Sequence, residues 1–317
     1  MTGVQTCALP ISATEHDFPF GALADAVGRV LRDPSVTVLE RSVHPLAGAH
    51  QVLALMPAHD RQLAIVKVIT YTPDAARYQR PLIQGEVLVF DVASGSPVAR
   101  LDGAQVTAQR TAAVSLLAAR QLAPAREGPL LIVGAGVQGR SHLLALAQEF
   151  DLREVYIHSR SVASAQKLAT LAQSIGLRAV CVDAPDAVQA LCPLVVTATP
   201  AQAVVLRGPV HPQAFVMAVG AFTPAMREID PALCRWFDAH GRIVLDSAAA
   251  RAEAGDLLQA GVDLQRCSTL QDVLLRPTRA QQGPVLFKSC GWAGWDLACA
   301  HHVIDAQSQS GTTPPSA

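Results

Sequence analysis

The chain has 317 residues, half of them apolar and 16% charged, enough to bury a substantial core and, at this length, to form two domains. A formal net charge of -1 leaves no basic footprint for nucleic acid or an anionic membrane, and no apolar stretch approaches the roughly 18 residues of a membrane span. Seven cysteines are scattered without a CxxC pair or a Cys/His ligand spacing, which argues against zinc or any other metal site and against a disulfide framework, and suits a reducing cytoplasm.

The opening MTGVQTCALPIS lacks the basic start and continuous apolar core of a signal peptide. It resembles an in-frame translation of a sequencing-library adapter joined to a truncated gene; the alternative is an ordinary disordered N-terminus. Residues 1–12, Cys7 included, are therefore set aside from fold reasoning. Residues 18–32 carry apolar positions at helical spacing, and Asp33-Pro34 stops that helix. The runs SVTVLERSV, QVLALM, QLAIVKVIT and EVLVFDV then read as strands separated by turn signals, giving a mostly β domain.

A helix is predicted from Val106 to Leu122, after which strands and helices alternate: PLLIV, EVYIH, AVCV, LVVTAT, AFVMAV and RIVLD. That alternation indicates a doubly wound parallel sheet of Rossmann type, an α/β fold. PVLFKSC and GWAGWDLACAHHVIDA add a strand and a helix, and the tail QSQSGTTPPSA reads as disordered. There is no internal repeat.

Gly134, Gly136 and Gly139 form a G-x-G-x-x-G after a buried strand and at the start of a helix. The first glycine permits the tight turn, the second a close approach to pyrophosphate, and the third close helix–strand packing, while the helix N-terminus offers N–H groups to phosphate. The alternative is a purely structural glycine turn. NAD sites place an acid at the end of the next strand, but here EVYIH runs into Ser159-Arg160-Ser161. A guanidinium between two hydroxyls suits a 2′-phosphate and favours NADPH, with NADH the alternative if Arg160 is only a solvated loop residue.

Only three lysines occur: Lys67, Lys167 and Lys288. Strand alternation puts Lys67 on the face of Leu63, Ile65 and Ile69, where a charge needs a partner, either a structural carboxylate or a bound anion. Arg110 shares a helical stripe with Ala113, Val114 and Leu117, in the first turns of its helix where the dipole favours anions. Arg41, in LERSVHPL, ends another predicted strand and is either a surface side chain or a third cation. Together such cations would clamp a small carboxylate in one orientation. His44, His142, His301 and His302 read as core or surface residues, since no Ser/His/Asp arrangement, carboxylate pair or metal-ligand cluster accompanies them.

With these segments in place the chain resembles the ornithine cyclodeaminase/μ-crystallin family. The matching stretches are RSVHPL, MPA, VKVIT, LDGAQVTAQRTAAVS, VGAGVQGRSH, VTATP, AVGAFTPAMREID, EAGDL and FKSCGWAGWDLA, in order from about Phe18 to Ala306. The resemblance implies a substrate-binding and dimerisation domain from residues 13–118 and 290–317, a nucleotide domain from 119–289, a homodimer, and an active site in the cleft between the domains. It implies that Arg41, Lys67 and Arg110 hold the substrate carboxylate. Gly134, Gly136, Val137, Gln138, Gly139, Ser159, Arg160, Ser161, Thr197, Ala198, Thr199, Val219 and Ser289 would contact the nucleotide.

Within the family, cyclodeaminases carry an acid just after a V-G-G stretch, and Phe222 stands at that place here. A phenyl ring accepts no proton, so ornithine cyclodeamination is disfavoured. IQGEVLVFDVASG and VGAFTP resemble the bacterial reductases of cyclic imino acids. The implied reaction is NAD(P)H-dependent reduction of pyrroline-2-carboxylate or piperideine-2-carboxylate to L-proline or L-pipecolate. Two rival readings remain: an alanine-type amino-acid dehydrogenase of the same family, and a nucleotide-dependent binding protein without turnover.

Overall fold

The computed structural model describes residues 11–13, 19–47, 51–72, 75–78, 80–200, 203–276 and 283–309. Two compact units emerge, one built from the chain up to Arg110 together with the chain from Ala293 onward, the other from Thr111 to Trp292.

The first unit contains β1 (Ile11–Ala13), α1 (Phe20–Arg32), β2 (Thr37–Val38), β3 (Ser42–Pro45), β4 (Val52–His59), β5 (Leu63–Tyr71), β6 (Ile83–Asp91), β7 (Pro97–Asp102), the start of α2 (Gly103–Leu122), and the last helix (Ala293–Gln309). Its sheet has the order β1-β7-β6-β5-β4-β2, with β3 also on β4, and only β1 runs parallel to its neighbour. Leu63, Ile65 and Lys67 alternate onto one buried face, with Met56 and Val87 paired to Lys67 on either side. The last helix packs on α1 and crosses β4, β5 and β7.

Three details differ from the sequence reading. The backbone of Ile11 and Ser12, set aside with residues 1–12, pairs with Ala99 and Arg100 and supplies the edge that β7 would otherwise leave open. The run SVTVLERSV is two strands: Val38 pairs with Ala58 and Ser42 with Leu55, so three residues span a gap that β4 crosses in two. This is a β-bulge, and it falls opposite Pro57, which has no N–H to give a neighbouring strand. Third, α2 begins at Gly103 rather than Val106, because the Asp102 carboxylate accepts from the Gln105 N–H at 2.6 Å and starts the helix early. A side chain at Gly103 would lie 2.8 Å from the Gly85 carbonyl, so this corner admits only glycine.

The second unit holds β8 (Leu130–Val133), α3 (Val137–Ala147), β9 (Glu154–His158), α4 (Val162–Ser174), β10 (Arg178–Cys181), β11 (Leu194–Thr197), β12 (Phe215–Ala218), α5 (Pro231–His240), β13 (Arg242–Leu245), α6 (Ala250–Glu253), α7 (Gly255–Ala260), β14 (Ser268–Thr269), α8 (Leu270–Leu275) and β15 (Val285–Lys288). All eight strands run parallel in the order β10-β9-β8-β11-β12-β15-β13-β14. This is the doubly wound sheet read from the sequence, and its strand order reverses between β8 and β11. Central strands β8, β11, β12 and β15 are buried throughout, as strands covered on both faces require. The two-residue β14 went unread because it is too short to carry a period. The tail expectation began at Gln307, yet the last helix runs to Gln309; residues 310–317 lie outside the described residues.

His142 fastens α3 to α2. Its Nδ1 lies 2.8 Å from the Gln138 carbonyl, which can only accept, so Nδ1 carries the proton and Nε2 accepts from the Ser115 hydroxyl at 2.9 Å. Burial pushes this imidazole down from 6.5 to about 4. A depressed folded value means that the stabilisation is complete above the ordinary value and is lost as pH falls through the folded one. Compared with His142→Gln by chemical denaturation, the wild type should lose about 3 kcal/mol of its advantage between roughly neutral pH and about pH 4. An unchanged difference across that range would show that the imidazole is not held neutral.

Candidate active site

The glycine turn after β8 is shaped by three separate requirements. Gly134 has φ +112, and a Cβ there would lie 2.4 Å from the Ala198 carbonyl oxygen. A Cβ on Gly139 would meet the Gly134 oxygen at 2.0 Å, so helix and strand touch through it. Gly136 has no such constraint: nothing lies within 4 Å of where its Cβ would be. The protein itself does not demand that glycine, and open space above it is what an approaching pyrophosphate uses. Gly136 is also the N-cap of α3 and makes no side-chain cap hydrogen bond, so the positive end of the helix dipole lies at this turn, with Val137 exposed and Gln138 half-buried beside it. These residues fit a dinucleotide.

At the end of β9, Ser161 caps α4 by accepting from the Ser164 N–H at 3.2 Å, and Ser159 accepts from the Ser161 N–H at 3.3 Å. Arg160, between them, is exposed. The serines thus shape the turn, and the guanidinium is presented to solvent.

The loops after β11 and β12 are tied together by Glu228, a residue sequence reasoning left without a role. This fully buried carboxylate accepts from the Thr197 hydroxyl at 3.1 Å, the Thr199 N–H and hydroxyl at 2.7 Å each, and the Gly220 and Ala221 N–H groups at 2.7 and 3.3 Å. A Cβ on Gly220 would lie 2.1 Å from the Thr199 oxygen, so the two loops press directly on each other. Asp256 in turn accepts from the backbone N–H groups of Glu228 at 2.5 Å and Ile229 at 2.8 Å and pairs with Lys288 at 2.7 Å. Burial alone would push the Lys288 ammonium down; the Asp256 carboxylate outweighs it and holds the group up. Burial pushes the Glu228 carboxyl up, against Lys288 and the Thr199 donors. Ala198 and Val219 belong to the same loops, the Ala198 N–H donating to Val133 and the Val219 N–H to Thr197. Ser289 follows β15 and donates to Asp246 at 2.8 Å, which also accepts from the Cys290 and Gly291 N–H groups.

In the first unit, Lys67 and Arg110 come together. Lys67 is fully buried and donates to the Thr107 hydroxyl at 2.6 Å and to Asp296 Oδ1 at 3.0 Å. The same oxygen lies 3.6 Å from Arg110 Nε, itself without a hydrogen-bond partner among the described residues. Asp296, on the last helix, is fully buried and was not read from the sequence, although an acid among Trp295, Leu297 and Ala298 raises the same question as Lys67. Two cations therefore share one carboxylate, and the cluster keeps a surplus positive charge in an almost dry place. Burial pushes Lys67 below its ordinary range, Asp296 pulls it back and Arg110 lowers it further.

Arg41 is not in that cluster by any described contact. It sits half-buried in the bulge before β3, one residue beyond the Ser42–Leu55 pair, at the level of Met56, whose partner on β5 is Lys67. His301 pairs with Asp60, and His44 is exposed. Phe222 packs half-buried against the second unit's apolar core. No group of three or more His, Cys, Asp or Glu side chains that could hold a metal occurs among the described residues.

An open nucleotide turn on a doubly wound sheet, together with a separate unit carrying buried cations, defines the class as a two-unit nucleotide-binding protein. A profile of the ornithine cyclodeaminase/mu-crystallin family matches residues 19–311, and the chain belongs to this family. It is 38% identical to Delta(1)-pyrroline-2-carboxylate reductase 2 of Burkholderia ambifaria, over 84% of each chain. It is 36% identical to a Delta(1)-pyrroline-2-carboxylate/Delta(1)-piperideine-2-carboxylate reductase of Azospirillum brasilense, over 90% of this chain and 91% of that one. The fold matches the Thermococcus litoralis Delta(1)-pyrroline-2-carboxylate reductase solved with NADH and L-proline, with a TM-score of 0.87 at 22% identity, over 95% and 98% of the two chains.

Removing the Glu228 carboxylate strands five donors at once. Glu228→Ala should therefore cost about 3–5 kcal/mol in the denaturation free energy, and Glu228→Gln a smaller but measurable part of it. A loss under about 1 kcal/mol for the alanine variant would show that the two loops are held by other contacts.

Proposed function

We propose that this protein reduces cyclic ketimine carboxylates, pyrroline-2-carboxylate and piperideine-2-carboxylate, to L-proline and L-pipecolate with NADPH, NADH serving less well. The observation that carries this reading is the surplus charge beside Lys67. A structural ion pair would balance its charges, whereas two cations on one carboxylate oxygen leave Arg110 to be satisfied by an anion of the substrate's size and charge. The relatives named above act on substrates of that kind.

In this mechanism Arg110 and Lys67 bind the substrate carboxylate and fix the ring's orientation, with Arg41 as a further cation. Gly134, Gly136, Val137, Gln138 and Gly139 would hold the pyrophosphate, and Thr197, Ala198, Thr199, Val219 and Ser289 would line the nicotinamide. A nicotinamide held by these residues would supply the hydride that the C=N carbon takes up. The ketimine nitrogen arrives protonated, so the chain needs no general acid: Arg110 and Lys67 orient, and the loops clamped by Glu228 present a fixed backbone. Phe222 supports reduction over ornithine cyclodeamination, because its ring cannot take a substrate proton.

Arg160 would pair with the 2′-phosphate from its exposed position between Ser159 and Ser161. The protein would work as a homodimer, since the outward face of the first unit's sheet carries Leu55, Pro57, Val66, Val68 and Leu88, all only half-buried. No helix among the described residues is long and apolar enough to cross a membrane, and six described cysteines are unpaired, which fits a place in the cytoplasm.

Steady-state kinetics with pyrroline-2-carboxylate test the reaction itself. A much higher kcat/KM with pyruvate and ammonia would make the protein an amino-acid dehydrogenase instead. Arg110→Lys keeps the charge without the planar fork, and Arg110→Met removes the charge; both should lower kcat/KM for the ketimine, Met by about tenfold more than Lys. A lowered Tm with unchanged kinetics would make Arg110 a structural partner of Asp296 only.

Arg160→Ala should raise the KM for NADPH by about ten- to a hundredfold while leaving NADH nearly unaffected. Equal effects on the two cofactors would place recognition of the 2′-phosphate elsewhere.

A further inference from the structure

We infer that Asp296 is a positioning residue for the carboxylate pocket: its single shared oxygen, 3.0 Å from Lys67 Nζ and 3.6 Å from Arg110 Nε, lets two cations stand together out of water and keeps the Lys67 ammonium charged for anion binding. The inference rests on the reading of Lys67 and Arg110 as the carboxylate site.

Four elements surround Lys67. From α2 come Arg110, a like charge, and the Thr107 hydroxyl, which accepts one proton of the ammonium and itself donates to the Gly103 carbonyl at 2.6 Å. From β4 and β6 come Met56 and Val87, both apolar and buried. From the last helix come Asp296 and the buried thiol of Cys299, which burial holds far above the range where it could ionise. Desolvation and Arg110 both push Lys67 toward the neutral amine. Among the neighbours, Asp296 is therefore the group whose full charge opposes that loss. Without it, Lys67 has every reason to release its proton, and the pocket would keep Arg110 alone.

The geometry also explains why an acid is needed on this helix rather than a hydroxyl. Thr107 already solvates one ammonium proton, but a dipole cannot offset a guanidinium at close range in a low-dielectric setting. A carboxylate can, and by using one oxygen for both cations it leaves the pair with a net attraction for one further anion.

The test compares wild type with Asp296→Asn, reading the inhibition constant of pyrrole-2-carboxylate, a planar analogue whose charge is constant over the range used, as a function of pH. The alkaline limb, where binding is lost as Lys67 deprotonates, should lie at least about one pH unit lower in the variant, and adding Lys67→Met should abolish that limb. A limb at the same pH in both proteins, even with a lowered Tm, would make Asp296 merely structural and overturn the inference. Failure of wild type to bind the analogue at all would instead overturn the carboxylate-site reading, and this inference with it.

Should Asp296→Asn not fold, wild type alone decides. With only three lysines in the chain, the Lys67 side-chain nitrogen can be assigned in ¹⁵N spectra by substituting each in turn. It should show an ammonium at about pH 7, and a neutral amine there would refute the proposal.

Discussion

Two buried cations facing one buried carboxylate are the constraint around which the first unit is arranged. Lys67 enters on a central strand, Arg110 on α2 and Asp296 on the last helix, so three distant stretches of sequence must converge before any of these charges is compensated. Burying an isolated charge costs several kcal/mol, and removing one member of a buried pair about 3–5. The sheet, the glycine corner of Gly85 and Gly103 that launches α2, and the packing of the last helix across β4 and β5 all serve that convergence. Under the proposed function, the charge left over is what binds substrate.

The second unit uses the same device for a different purpose. Glu228 gathers five donors from two loops, Asp256 fixes Glu228 from behind while pairing with Lys288, and Asp246 gathers three donors from the segment after β15. Each of these carboxylates sits at or near the carboxyl edge of the parallel sheet, the edge on which doubly wound folds bind their ligands. Buried acids thus replace side-chain bulk as the means of shaping the loops. They hold backbone N–H groups and hydroxyls of the loops in fixed positions.

Much of this was legible in the sequence because it is local. The parallel strands are short apolar runs between helices, and the glycine turn announces its own strand and helix. Lys67 and Arg110 stood out as charges on apolar faces. Their partner did not, although Asp296 breaks an apolar helix in the same way; pairing the two anomalies needed knowledge that the last helix crosses β5, a contact between residues more than two hundred apart in the chain. Glu228 and Asp256 were hidden for a further reason. Glu228 follows Arg227 in a loop and Asp256 stands in the first turn of a short helix, places where an acid is unremarkable, and only the fold shows that both are buried. The bulge that carries Arg41 depends on Pro57 of the neighbouring strand, which no reading of LERSVHPL by itself could supply.

The central claim is that the buried cations exist to receive one carboxylate. Calorimetric titration of wild-type protein with pyrrole-2-carboxylate and with the corresponding amide tests it most directly, because the two ligands share ring and shape and differ in charge. The account predicts that the acid binds at least about thirtyfold more tightly, the worth of a charge-assisted hydrogen bond in a desolvated site. Equal affinity for acid and amide would contradict it.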